Sequence, residues 1–162
     1  MSSTLTGEEF RTIVGHFVSG VTVVTAVHDG RRFGTTASAF SSLSLDPPMV
    51  VTCLNRSSET GEAICGAGRF AVNVLGEDQG ELALRFGRKG GDKFRSVEVV
   101  GGAGGVPLLV GALATFECRV IKQTVGGTHR VFLAEVDHAV ARADGTPLAY
   151  FRGRFGRLEA GG

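Results

Sequence analysis

The chain has 162 residues, 17 Lys and Arg against 16 Asp and Glu, and 43% hydrophobic residues. That length suits one domain with a core of its own, expected over residues 1–162 with its body at about 10–158. A net charge of +1 excludes the broad positive field of a nucleic-acid binder, and no apolar run reaches the ~20 residues of a membrane helix.

The opening MSSTLTGEEF is polar and acidic, without the basic start and apolar centre of a signal peptide, so a cytoplasmic protein is expected. Thr6 and Glu9 form a capping box, and Phe10, Ile13, Val14 and Phe17 follow as one apolar stripe. An amphipathic helix is expected there, ending at Gly20. Val21–Val27 is a β-branched strand, His28-Asp29-Gly30 a turn, and Arg31–Phe40 the returning strand of a hairpin. A serine-rich turn follows, then Asp46-Pro47-Pro48 and a third strand at Met49–Leu54.

A short helix is expected from Ser58 to Cys65, a strand around Phe70, Val72 and Val74, and a helix from Asp78 to Phe86. Residues 87–106 are weakly patterned, basic in the first half and glycine-rich in the second. Strong alternation returns from Ala112 to Val120. The turn Val125-Gly126-Gly127-Thr128 leads into His129–Val140, Asp144-Gly145 turns again, and Leu148–Phe155 reads as the last strand. Six or seven strands with two or three short helices point to a mainly β, antiparallel barrel, and the 25 glycines supply its turns.

Signatures of common chemistries are missing. There is no GxxxxGK, HExxH or GxSxG, and Gly101–Gly105 precedes Val106-Pro107 in place of the helix that a dinucleotide loop requires. Cys53, Cys65 and Cys118 are odd in number and contain no CxxC, so neither disulfides nor a metal site is expected, and Cys53 reads as a small apolar residue. His16, His28 and His138 read as solvated. The informative run is Thr35-Thr36-Ala37-Ser38-Ala39-Phe40-Ser41-Ser42-Leu43-Ser44, in which six of ten residues carry hydroxyls. It suits either an exposed strand face with a serine-rich turn or a rail for a ligand with a polyhydroxyl chain and a phosphate.

The runs FRTIVGHFVSGVTVVTA, GTTASAFSSLSLDPPMVV, CLNRSSET and RFAVNVL, the GGTH turn and the closing PLAYFRGRFGRL together resemble the flavin reductase family. Its members are small FMN-binding split barrels that supply reduced flavin to two-component monooxygenases. The resemblance implies an antiparallel split β-barrel and an NAD(P)H-dependent flavin reductase. FMN or FAD would be the acceptor, NADH or NADPH the donor, a flavin-dependent monooxygenase the partner, and the chain a homodimer. A split barrel that only holds flavin for electron transfer, or an oxidase that retains it, is the alternative.

By the same resemblance, Thr35, Thr36, Ala37, Ser38, Ser41 and Ser42 line the ribityl chain and phosphate. Cys53, Leu54 and Asn55 run beside the flavin ring, and Ser58 and Thr60 hold the phosphate at a helix start. Phe86 and the Lys93-Phe94 pair match a family element in which Lys93 meets a phosphate or the adenylate. Tyr150, Arg152, Arg154 and Phe155 lie in the segment that covers nicotinamide; the sequence leaves the two arginines open between meeting a 2′-phosphate and serving as ordinary surface charges. His129 is the candidate catalytic residue, in a Gly127-Thr128-His129 turn where the family has Gly-Asp-His.

Overall fold

The structure is a computed structural model and describes residues 4–159 and 161, so Met1–Ser3 of the polar opening lie outside the described residues. Helix α1 (Gly7–Val14) begins as its capping box requires. The Glu9 amide donates to Thr6 Oγ1 at 3.1 Å, and the Thr6 amide donates to the Glu9 carboxylate at 2.8 Å. Bonding to Thr6 holds the Glu9 carboxyl below the usual carboxylate range. The helix ends at Gly15 and not at Gly20. His16 Nδ1 lies 3.0 Å from Thr12 O and 3.2 Å from Ile13 O, so the last carbonyls find a partner before the apolar stripe is complete. Gly20 instead lies in β1 (Ser19–Gly20).

Strands β2 (Thr22–His28) and β3 (Arg31–Ala37) form the expected hairpin. The serine-rich run beyond it is a strand and not a turn: β4 (Phe40–Leu45) pairs with β5 (Pro48–Asn55), bulged between Ser42 and Ser44. Helix α2 (Glu59–Ala67), strand β6 (Arg69–Val74) and helix α3 (Gly80–Gly87) follow as the sequence predicts. The weakly patterned stretch contains a small hairpin of β7 (Val99–Gly101) and β8 (Pro107–Leu109). Strands β9 (Ala114–Gly126) and β10 (His129–Ala141) form a long hairpin with Gly127-Thr128 at its tip. The expected final strand is a hairpin as well, β11 (Leu148–Phe151) and β12 (Arg154–Arg157). Arg152 and Gly153 turn it with φ of 51° and 75°.

The large sheet has the order β3-β2-β6-β9-β10-β5-β4, antiparallel throughout, and β1-β11-β12 form a smaller one. Its two edge strands, β3 and β4, are joined directly by Ser38-Ala39. Ala39 O accepts from Cys53 N at 3.1 Å and from Thr52 Oγ1 at 2.9 Å, which ties that joint to β5 and curls the sheet into a split barrel.

Strand β2 is buried on both faces, which explains its nearly continuous apolar run. Val24 and Ala26 join Ile64 of α2, Phe70 and Phe132 in one core; Val21 and Val23 join Ala83 and Phe86 of α3 in another. The two helices therefore flank the β2–β3 hairpin. Gly34 permits the close approach of α3, since a Cβ there would lie 2.7 Å from the Phe86 ring. Edge strand β3 is left with a cleft on each side. Among the described residues, no helix is long and apolar enough to cross a membrane.

Candidate functional site

One cleft is a cavity of about 640 Å³ between the start of β3, the start of α2 and the loop after α3. Ser58 caps α2 by accepting from the Gly61 amide at 3.2 Å, and Ser58 O accepts from Glu62 N at 3.1 Å. The amides of Glu59 and Thr60 find no acceptor among the described residues, so two first-turn donors remain available. Thr60 lines the cavity, is 3% exposed, and makes no side-chain hydrogen bond among the described residues. No side-chain N or O among those residues is both sealed and unpartnered, so the Thr60 hydroxyl is the part of that residue that opens into the cavity. A helix N-terminus with free amides and a waiting hydroxyl is a site for an anion.

The cavity's charge agrees. Five cations line it, Arg31, Arg32, Arg88, Lys89 and Lys93, against the two acids Glu59 and Asp92. Lys93 Nζ donates to Gly34 O at 3.0 Å and to Phe86 O at 3.2 Å, tying the loop to β3 and α3. Burial lowers its pKa below the ordinary lysine value, partly countered by Glu59. Phe94 lies beneath this loop, edge-on to Phe86 at 5.0 Å between centroids, and Arg32 stacks on it at 4.9 Å.

A second cavity of about 570 Å³ opens on the other side of β3. Thr36 and Ser38 face it together with Val21, Leu84 and the Tyr150–Phe155 ring pair, 5.8 Å apart. Gly87 and Arg88 line both cavities, so the two meet at the end of α3. Its lining is neutral apart from Arg88 and suits a ring system more than a phosphate.

The sequence-predicted residues therefore separate. Thr35, Asn55, Ser58, Thr60, Lys93 and Phe94 line the basic cavity, and Thr36, Ser38, Tyr150 and Phe155 line the neutral one. Thr36 is engaged within the fold, its Oγ1 donating to Ala83 O at 2.6 Å. Ala37, Leu54 and Phe86 are core residues that support the walls and do not face either space. Ser41 and Ser42 lie exposed on β4, with Ser41 Oγ donating to Ser42 O, and Arg152 and Arg154 are exposed on the final hairpin. Burial pushes the Cys53 thiol upward and the Cys118 thiol up to about 12, so neither is poised as a thiolate.

His129 lines neither cavity. It is the register partner of Asn55, and its Nδ1 lies 2.8 Å from Thr128 Oγ1. Thr128 O accepts from Arg56 N at 3.0 Å, which docks the β9–β10 tip onto the loop before α2. Four cavity residues, Arg31, Arg32, Arg88 and Lys89, are not singled out by the sequence; the basic character of the stretch after Phe86 is the only signal for Arg88 and Lys89, and Arg31 and Arg32 carry none.

A family model for the flavin reductase like domain matches residues 14–159. The chain is 53% identical over 150 residues to the reductase component of a 4-nitrophenol 4-monooxygenase/4-nitrocatechol 2-monooxygenase of Rhodococcus opacus, covering 93% of this chain and 80% of that one. It is 41% identical over 150 residues to the FMN reductase (NADH) SmoA of Agrobacterium fabrum, covering 93% and 85%. The solved NADH:FAD oxidoreductase SgcE6 of Streptomyces globisporus superposes with a TM-score of 0.91 at 33% identity, over 99% of this chain and 98% of that one.

Proposed function

The chain belongs to the flavin reductase like domain family, and from that premise we propose that it transfers hydride from a reduced nicotinamide to a flavin whose phosphate sits in the basic cavity. The observation that carries this reading is the pairing of the two cavities across Gly87 and Arg88. One offers free amides, the Thr60 hydroxyl opening into the cavity and excess positive charge; the other offers a neutral wall with two aromatic rings. A phosphorylated, polyhydroxylated ring compound has those same two ends.

The cofactors supply the redox chemistry, and the protein supplies alignment. In this reading the amides of Glu59 and Thr60 and the hydroxyls of Thr35 and Thr60 hold the phosphate. Ser38 meets the ribityl chain, while Tyr150 and Phe155 shield the reacting rings from water. His129 is the register partner of Asn55 but lines neither cavity, so this reading gives it no contact with the rings. Because neutral hydroxyls and amides carry much of the grip, flavin binds as a substrate and leaves to serve a partner monooxygenase. Relatives are named both for FMN and for FAD, so family membership does not fix the flavin.

The test is NADH and NADPH oxidation with a large excess of FMN, FAD or riboflavin. Many turnovers per chain are expected with at least one donor. A protein that only holds flavin stops after about one equivalent, and a flavin-retaining oxidase purifies yellow and needs no addition.

We also propose a homodimer. No residue of α1 is buried, and Phe10, Ile13 and Val14 are each more than half exposed, with Phe17 at 84%. An apolar stripe of this kind on a capped helix needs a cover, and a second copy supplies it. Sedimentation equilibrium is expected to give twice the chain mass; a monomer at micromolar concentration would remove this assignment.

A further inference from the structure

We infer that the rim of the basic cavity selects FAD over FMN, with Arg31, Arg32, Arg88 and Lys89 receiving the adenylate end of the dinucleotide. The inference rests on the reading of this cavity as the phosphate end of the flavin site, and adds a second anion position to it. The first position is the α2 N-terminus, where two amides and the Thr60 hydroxyl suit a single phosphate group. The four rim cations stand on other walls, at the start of β3 and in the loop after α3.

Among the described residues five arginines are paired with carboxylates, and the four rim cations are not among them. Arg69 and Arg119 face Asp137, Arg130 faces Glu62, Arg142 faces Asp144 and Arg157 faces Glu77. None of the four rim cations forms an ion pair among the described residues, although Glu59 and Asp92 line the same cavity. Like charges gathered without partners repel one another, and a bound polyanion relieves that repulsion. Two of the guanidinium groups also rest over aromatic rings, Arg31 at 5.0 Å from the Phe33 centroid and Arg32 at 4.9 Å from that of Phe94. A guanidinium restrained against a ring gives up less freedom on binding phosphate.

Size points the same way. A cavity of about 640 Å³ is far larger than one phosphate needs. FMN ends at its phosphate and leaves the rim unengaged, whereas FAD continues through a second phosphate and a ribose to adenine. The 2′-phosphate of NADPH is the other source of a second anion, and the two are told apart by titration.

Dissociation constants for FAD, FMN, ADP and NADP+ are measured calorimetrically on the wild type and on two double variants, R31Q/R32Q and R31Q/K89Q, which leave Arg88 in place because it also lines the ring cavity. The variants' melting curves are recorded to establish that they fold. The expected result is a rise of at least tenfold in Kd for FAD in each variant, a rise under threefold for FMN, and competition of ADP with FAD on the wild type. R157Q, at a residue that lines neither cavity, is expected to keep the wild-type ratio of FAD to FMN affinity. Equal weakening of both flavins, no weakening of either, or loss of NADP+ binding with FAD unaffected would each overturn the assignment. A wild-type chain that binds neither flavin would sink the flavin reading itself, an outcome separate from failure of the rim alone.

Discussion

Replacing Asn73 with aspartate is expected to destabilise the protein by more than about 3 kcal/mol at pH 7, and by distinctly less near pH 4. Asn73 is fully buried on β6. Its Nδ2 donates to Val23 O at 2.9 Å and to Thr25 Oγ1 at 3.2 Å, and its Oδ1 accepts from Leu109 N at 2.9 Å. Thr25 Oγ1 passes its own proton to Pro107 O at 2.6 Å. One amide side chain thus fastens β2, β6 and β8 together. Ionised aspartate donates nothing, so it turns a charge toward the Val23 carbonyl and leaves that acceptor unmet in the interior.

Burial with the Leu109 amide as its one donor raises the folded-state pKa of the new carboxyl above its unfolded value of about 3.9. Below that value the group is protonated in both states, and one O–H partly replaces the lost amide. As pH rises above it, the unfolded chain releases a proton that the folded chain retains. Stability then falls by about 1.4 kcal/mol per pH unit until the folded pKa is passed. Urea midpoints at pH 4, 5 and 7 measure this. Asn73→Leu removes the same bonds without a charge, and its loss is expected to be nearly independent of pH. Equal losses for Asn73→Asp at all three values would show that the carboxylate escapes burial.

The elements that local chemistry governs were legible in the chain itself. The Thr6–Glu9 box, the Ser58 cap and the β2–β3 hairpin each depend on residues a few positions apart, and each forms as expected. The failures share a different cause. Strand β4 was hidden because three serines interrupt Phe40, Leu43 and Leu45, and its pairing with β5 overrides the weak β preference of that run. Spacing alone puts the end of α1 at Gly20, but His16 meets the helix carbonyls first. The break at Arg152-Gly153 had only one glycine to announce it within an alternating segment.

The site was legible in its residue types and not in its division. Alternation placed Thr36 and Ser38 on one face, and Thr35 therefore on the other, yet nothing local reveals that each face borders a separate cavity. That depends on α2 and α3 flanking the hairpin, a tertiary fact. The same fact brings Arg31 beside Arg88 and Lys89 from distant parts of the chain.

Placing an acid at Thr35 is expected to raise KM for FMN and for FAD about thirtyfold, equivalent to about 2 kcal/mol, while kcat changes little. Thr35 is half-buried, lines the basic cavity and has no side-chain partner among the described residues. A carboxylate there shares the basic cavity with any phosphate held at the α2 N-terminus. Two like charges about 5 Å apart repel by roughly 3 kcal/mol at an effective dielectric of 20, and the surrounding cations screen part of that. The same cations keep the substituted side chain tolerable to the fold, so Thr35→Asp is expected to melt within a few degrees of the wild type. Riboflavin has no phosphate, and its KM is expected to shift less than threefold. Losing affinity without losing turnover would mean that the acid weakens substrate and transition-state binding alike and leaves ring alignment intact. Ser41→Asp supplies the opposing arm, because Ser41 lies exposed on β4 outside both cavities. If Ser41→Asp raises the flavin KM and Thr35→Asp does not, the phosphate lies along β4 and the basic cavity serves another ligand. If both variants discriminate against riboflavin as strongly as against FMN, charge repulsion at a phosphate is not the cause.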